Sequence, residues 1–363
     1  MENPLKYFAE LRDPRVERNR EHVLEEVPDC HRGGVERGGE LERHRRLWRG
    51  QAGVAEDVSD PALGHTVARY VQPCVCGAGS AGTGKGLRGV GFLDCEADRG
   101  EVVAIDGKAL CGTRETGKKA IVHMVSAWAE GNGLVLAQRK VDEKSNEITA
   151  IPKLLEALEL SGTVVTIDAM GCQRSIAAKI VEKKADYILA VKENQGSLLE
   201  GIKDSFRMLA ADSVAEEIDC GHGRVERRRC SVVADLSLLE KASEWPSLQG
   251  LVRIEAERYH KATGKTERET RFYITSLKPD AARLNRAIRQ HWGIENKLHW
   301  MLDVGFSEDR CRKRAGHAAQ NFSVLNRIAL NLLKQDKSST RGIKGKRLNA
   351  AWNHPYLLKL LGI

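Results

Sequence analysis

Three acidic side chains in this sequence sit where a two-cation phosphoryl-transfer centre needs them. Asp106 closes the apolar run EVVAID, Asp168 closes a second run, TVVTID, and Glu295 lies in the helical stretch AIRQHWGIENKLHWMLDV. Carboxylates at the ends of two buried strands and on a helix can hold hard divalent cations, because Mg²⁺ takes oxygen ligands and keeps several waters. A pair of such ions neutralises a phosphodiester while nucleophile and leaving oxygen are held in line. In that arrangement Asp106 bridges both ions, and Asp168 and Glu295 each hold one. The expected cofactor is two Mg²⁺ ions, with Mn²⁺ as a substitute. A single Asp at a strand end is usually a turn cap or a solvated group; the combination of three is what points to chemistry.

Other polar residues cluster around these positions in the sequence. Lys108 follows in IDGK, where Gly107 allows close backbone approach. Lys192, Asn194 and Gln195 follow an apolar run in AVKENQ. His291, Asn296 and His299 share the helical stretch with Glu295, His299 one turn beyond it on the same face. All seven are candidate DNA contacts, although each also reads as a solvated lysine or a polar loop or helix residue. Trp292 reads as core. His291 and His299 lack nearby ligand pairs at zinc spacing. Cys172 has no partnered base and reads as a buried thiol.

The elements that must position these residues are legible from residue 101 onward. EVVAID, IVHMVSAWA and GLVLAQRKV read as three strands joined by Gly-, Asn- and Lys-rich turns. Ser145 can cap a helix through NEITAIPKLLEALEL, with Ile148, Ile151, Leu154, Leu155 and Leu158 on one stripe and Gly162 after it. TVVTIDAM, RSIAAKIVEKKA and DYILAVK follow as strand, helix and strand. Three meandering antiparallel strands feeding parallel ones through helical crossovers make a ribonuclease H-like order. The expected fold is α/β, a ribonuclease H-like mixed sheet flanked by helices, with Asp106 and Asp168 on neighbouring strands. Residues 196–279 break the pattern with charged strand-like pieces and read as an inserted β-rich segment. Pro279 and Asp280 then open the helical part, 280–336, and 337–363 reads as a basic tail whose start, KSSTRGIKGKR, is loop-like.

The chain has 363 residues, 41% apolar and 30% charged, with a formal charge of +8. A basic excess of this size suits a polyanionic partner and equally suits plain solubility. No apolar run is long enough to cross a bilayer, and the charged N-terminus shows no secretory signal. Nine cysteines without repeated spacing point to a reducing, cytoplasmic compartment. From about Val27 to Arg99 the chain is rich in Gly, Arg and Cys and lacks periodicity, as a disordered basic linker or an RG-type RNA-binding tail would. An out-of-frame origin accounts for it better. Codons exist for DPALGHTVARYVQPCVCGAG that, read one base later, give LTLPSDIPLHDTFNRVFVAL; the same shift on ELERHRRLWRGQAGVAEDV gives SWNDIDDYGEAKQAWLKTF. Both products are amphipathic and share one register. Region 1–99 is thus expected to be a helical domain disrupted over about 28–99, and Cys30, Cys74, Cys76 and Cys95 carry no metal site.

The stretches VVAIDGKAL, VDEKSNEITAIPKLLEALELSGTVVTIDAMGCQ, DYILAVKENQ, GHGRVERR, RQHWGIENKLHWMLDVGFSED and IKGKRLNAAW cover most of 101–351. Together they resemble the H-repeat-associated transposases of bacterial insertion sequences, in the DDE superfamily. The resemblance implies a ribonuclease H-like core (first part 100–195) with Asp106, Asp168 and Glu295 as the metal-binding triad. It also implies cutting and joining of terminal inverted repeats and target DNA, a nucleoid-associated location, and a homodimer or larger assembly when synapsed on DNA. Related transposases often carry Tyr, Arg and Lys around the final Glu; here those places hold Ile288, His291 and Leu302. A non-catalytic repressor of the same element and a ribonuclease H-like nuclease are the alternative readings. The frameshift predicts that the coding DNA, read one base later between the codons of Val27 and Gly100, runs open through a patterned helical peptide; stop codons in that frame would refute it.

Overall fold

Residues 102–110 form the strand that organises everything around it. The computed structural model describes residues 100–113, 121–141, 146–221, 223–314 and 317–362. The shifted-frame region, its cysteines and the Ser145 cap lie outside them. Strand β1 (Val102–Leu110) pairs antiparallel with β2 (Val122–Ala129), which pairs with β3 (Leu134–Lys140). On its other side β1 pairs in parallel with β4 (Val164–Ile167), and β4 in parallel with β5 (Asp186–Val191). Helices α1 (Glu147–Glu156) and α2 (Arg174–Glu182) intervene between these strands in sequence. The order β3-β2-β1-β4-β5 is the ribonuclease H-like order expected from the sequence.

The segment read as an insertion continues the same sheet. It begins with α3 (Gly196–Met208), a helix the sequence reading did not anticipate, which buries Leu198, Leu199 and Ile202. Strands β6 (Ser213–Gly221), β7 (Arg224–Val233), β8 (Gly250–His260) and β9 (Lys265–Thr275) follow as an antiparallel meander. Strand β9 docks antiparallel on β5, giving the nine-stranded order β3-β2-β1-β4-β5-β9-β8-β7-β6.

Period-two alternation sorts the central strands onto two apolar layers. Val103, Ile105, Val165, Ile167 and Leu189 pack with Ile151, Leu154 and Leu155 of α1 and Ile176 and Ile180 of α2. Val102, Val164 and Ile188 face the other way, against Leu284, Ala287 and Ile288 of α4 (Ala281–His291). Burial on both faces is why these strands read as continuous apolar runs; each such side chain contributes about 1.5–3 kcal/mol. Asp280 caps α4, its carboxylate accepting from the Arg283 backbone N–H at 3.0 Å.

The described residues fall into two compact units, and everything above belongs to the first, which holds residues 100–110 and 121–300. The second, 111–113 and 301–362, is helical. It contains most of α5 (Trp300–Phe306), then α6 (Ala318–Gln335), α7 (Ile343–Trp352) and α8 (His354–Leu361). Arg327 of α6 is fully buried and pairs with buried Glu308 at 2.9 Å. The segment read as a loop-like basic tail is helical from Ile343. The buried Lys346 ammonium donates to the carbonyls of Leu333 and Asp336 at the end of α6. A lysine that satisfies orphan helix-end carbonyls looks in sequence like any solvated basic residue.

Candidate active site

Parity and register bring the two aspartates together. The β1–β4 pairing ends at Ile105 opposite Ile167, so Asp106 and Asp168 are each one residue beyond that last pair. Val102 and Val164 lie on the α4 layer. Counting by twos therefore puts Asp106 and Asp168 on that same face. Contrary to the sequence expectation, Asp106 does not end its strand. β1 continues to Leu110 by pairing with β2 alone, Asp106 opposite Ser126. Asp106 thus sits one residue past the point where β4 stops pairing with β1.

Asp168 leaves β4 into a tight turn, and its carboxylate accepts from the Met170 N–H at 3.1 Å. The AVKENQ segment holds that turn. Asn194 Nδ2 donates to the Ala169 carbonyl at 2.7 Å, and Gln195 Nε2 to the Cys172 carbonyl at 2.8 Å. These two candidate DNA contacts are thus occupied in fixing the Asp168 loop. Lys192 is exposed beside them. Cys172 is buried, and burial pushes its thiol up to about 12, so it is no nucleophile.

Glu295 comes from the continuation of α4. After His291 the chain widens into a π-helical turn, Ile294–His299, closed by a bond from the Trp300 N–H to the Glu295 carbonyl. Such turns recur at functional sites. Its slower winding offsets the drift that residues four apart accumulate on an α-helix, which keeps His291, Glu295 and His299 near one line. His291 anchors the line to β4: its Nδ1 lies 2.9 Å from the Thr166 hydroxyl, two residues before Asp168. Burial holds this imidazole neutral, near 4. His299 anchors the other end, with Nδ1 3.5 Å from the Asp106 carboxylate. Glu130, at the end of β2, clamps the turn from outside. It accepts from Trp128 Nε1 at 2.8 Å, pairs with Lys297, and packs where a Cβ on Gly293 would stand. Asn296 is exposed beside Glu295, and Lys108 is buried two residues along β1 from Asp106.

Two residues of the site went unseen in the sequence. Glu147, the first residue of α1, lays its carboxylate against Gly107, in the space a Cβ there would fill. A glycine next to Asp106 therefore opens the sheet to a fourth carboxylate from the opposite layer. IDG beside a helix-initiating Glu is the only sequence trace of this. The second is Arg271 of β9, whose guanidinium lies 4.8 Å from the centre of the Trp292 ring and whose charge draws the Glu295 carboxyl down. Trp292 is half-buried beneath that arginine rather than core.

The electrostatics are those of crowded carboxylates. Asp106 is raised to about 7, first by burial and then by the charges of Asp168, Glu147 and Glu295, against a lowering backbone hydrogen bond at Gly107. Glu147 and Glu295 are also raised, by burial first and by Asp168. The donors are all carboxylate oxygens, the hard set that suits Mg²⁺ or Mn²⁺, and a cation between them relieves their repulsion. Among the described residues no three such groups close around one point, so binding an ion requires side-chain rotation.

The family model for the transposase DDE domain matches residues 98–332 of this sequence. The chain belongs to the transposase DDE domain family. YncI of Escherichia coli O157:H7 is 43% identical over 275 residues, 73% of this chain and 70% of that protein. YhhI of Escherichia coli strain K12 is 40% identical over 278 residues, 74% of this chain and 73% of that one. Both are named as candidate transposases, the second as H repeat-associated. A solved piggyBac transposase synaptic complex with hairpin DNA aligns at 11% identity and TM-score 0.42, covering 82% of this chain and 57% of that one.

In this DDE-family chain the Asp106 shift has a measurable consequence in metal-free protein. A carboxyl raised from 3.8 to about 7 on folding binds its proton more tightly in the native state. Its contribution is full below the unfolded value and is lost as pH rises through about 7. Denaturant unfolding in EDTA should show stability falling from pH 4 to pH 8. Asp106→Asn should flatten that fall by about 1–3 kcal/mol; an unchanged slope in the variant would place Asp106 outside the crowded site.

Proposed function

We propose that this chain is a DDE transposase that cleaves DNA at an insertion-sequence end and joins it to target DNA with the help of divalent cations. The observation that carries this reading is the β1–β4 register, which sets Asp106 and Asp168 at matching positions on the α4 side of the sheet, where α4 runs on into the turn with Glu295. Asp106, Asp168 and Glu295 would hold Mg²⁺ or Mn²⁺, with Glu147 close enough to join them. When bound, the ions supply Lewis acidity at the scissile phosphate and lower the pKa of the attacking water or 3′-hydroxyl.

The protein's own residues supply position and charge. Asn194 and Gln195 keep the Asp168 turn rigid, His291 ties α4 to the strand that carries Asp168, and Glu130 holds the Glu295 turn through Lys297. Neutral His291 adds no charge to the carboxylate cluster, which leaves the anionic field available to cations. DNA is the partner, supported by the basic excess of +8 and by the family; a dimer or larger assembly on two element ends fits the joining of both. In this reading 100–195 and 280–336 form the core and 196–279 an insertion. An out-of-frame origin of 28–99 would bear on how such a chain finds its element ends.

The test is nicking and strand transfer by the full chain on duplex DNA carrying the element's terminal repeats. Activity should require Mg²⁺ or Mn²⁺. Alanine at Asp106, Asp168 or Glu295 should reduce it to background while circular dichroism stays that of the parent. Activity that survives any one of these substitutions removes that residue from the triad. DNA binding without cleavage by the parent chain would favour a repressor instead.

A further inference from the structure

A meeting of cations beside the carboxylates lies where β5 ends against the middle of β9. The β5–β9 register closes at Val191 opposite Phe272. Continuing it by one residue sets Lys192 across from Arg271. Like charges directly opposite in a sheet repel, so this placement needs an anion. Glu269, two residues from Arg271 on the same face of β9, supplies it. The Arg271 fork donates from Nε at 2.6 Å and from Nη2 at 3.0 Å to the two oxygens of Glu269. Arg258 of β8 approaches the same carboxylate at 3.5 Å, and Lys192 is near enough for its charge to act on it. Two arginines, from β9 and β8, and a lysine just beyond β5 therefore act on one carboxylate. Arg258 has a second acidic partner, Glu226 at 3.3 Å.

A planar fork holding both oxygens of an anion is the geometry with which arginine takes a phosphate. Three further features separate this one from a surface ion pair. The guanidinium is stacked on Trp292, 4.8 Å from the ring centre, which fixes its plane. Its side chain is 26% exposed and that of Glu269 40%, so the fork is reachable from solvent. Trp292 lies three residues before Glu295 and leads into the turn that carries it, which sets the fork beside the carboxylate site.

We infer that Lys192 and Arg271 form a DNA-phosphate clamp at the rim of the site, and that Glu269 holds its place until a backbone phosphate displaces it. The inference rests on the transposase reading for the identity of the phosphate. Glu269 acts as an internal competitor: it keeps the fork preformed and lowers affinity for DNA that cannot seat a phosphate there. Exchange of one anion for another swaps the two Arg271–Glu269 hydrogen bonds for bonds to phosphate and leaves every covalent bond intact.

The experiment measures binding, not activity. Full-length protein carrying Asp106→Asn, in EDTA, is titrated onto fluorescently labelled duplex DNA taken from the gene's own flanks, by anisotropy over a series of salt concentrations. Arg271→Ala should weaken binding roughly tenfold and reduce the slope of log K against log salt by about one. Arg271→Lys keeps the charge without the fork and should fall between. Glu269→Gln should act in the opposite direction and tighten binding. Unchanged affinity and slope for Arg271→Ala, or binding by Glu269→Gln that is unchanged or weaker, overturns the clamp. Where Arg271→Ala fails to fold, Glu269→Gln with the parent's melting temperature decides alone. No DNA binding by the parent overturns the transposase reading together with the clamp, whereas binding indifferent to both substitutions overturns the clamp only.

Discussion

The parallel pairing of β1 with β4 is the constraint on which the rest of the site depends. Its last rung, Ile105 opposite Ile167, sets Asp106 and Asp168 at matching positions, and strand parity turns both toward the α4 layer. Adjacent strands lie about 4.8 Å apart, so two carboxylates leaving one rung cannot avoid each other. Their repulsion is tolerated because burial of the valines and isoleucines behind them fixes the register: a one-residue slip would turn that apolar set onto the wrong face. Packing on both faces of the sheet thus holds together charges that would separate if free.

Around that rung the structure adds parts from four directions. The π-helical turn carries Glu295 and is pinned at both ends, by His291 to Thr166 and by His299 to Asp106. Glu130 and Lys297 pin it from the β2 side. Glu147 arrives from the opposite layer through the gap at Gly107. The segment after β5 serves twice: Asn194 and Gln195 brace the Asp168 turn, while the charge of Lys192 acts on Glu269 of β9. Strands β6 to β9 are therefore part of the same sheet as the carboxylates. They extend it by four strands and bring Arg271 to the edge of the carboxylates.

Much of this was readable in the sequence, and the divide between what was and was not is physical. Strands buried on both faces leave unbroken apolar runs, so β1, β2, β3, β4 and β5 and the neighbourhood of Asp106 and Asp168 could be found by eye. Glu295 needed its family resemblance, because a Glu on an amphipathic helix is ordinarily a solvated residue. Glu147 and Arg271 were invisible: each reaches the site only through tertiary packing, one across a glycine and one from a strand that looks merely charged. Asn194 and Gln195 looked like ligand contacts because a polar loop after a strand gives no hint that its amides are spent on a neighbouring turn. The start of α7 was misread for a related reason, since the burial of Lys346 depends on carbonyls of another helix.

The central claim is that the carboxylates on the β1–β4 rung, with Glu295, form one cation site. Electron paramagnetic resonance of Mn²⁺ titrated onto the full chain in the absence of DNA tests it most directly. The account predicts saturable loss of the free Mn²⁺ signal above pH 7, weakening as pH falls through about 7 where Asp106 takes up its proton. It also predicts that Asp106→Asn and Asp168→Asn each abolish this binding. Binding of equal strength in the parent and in both variants would contradict it.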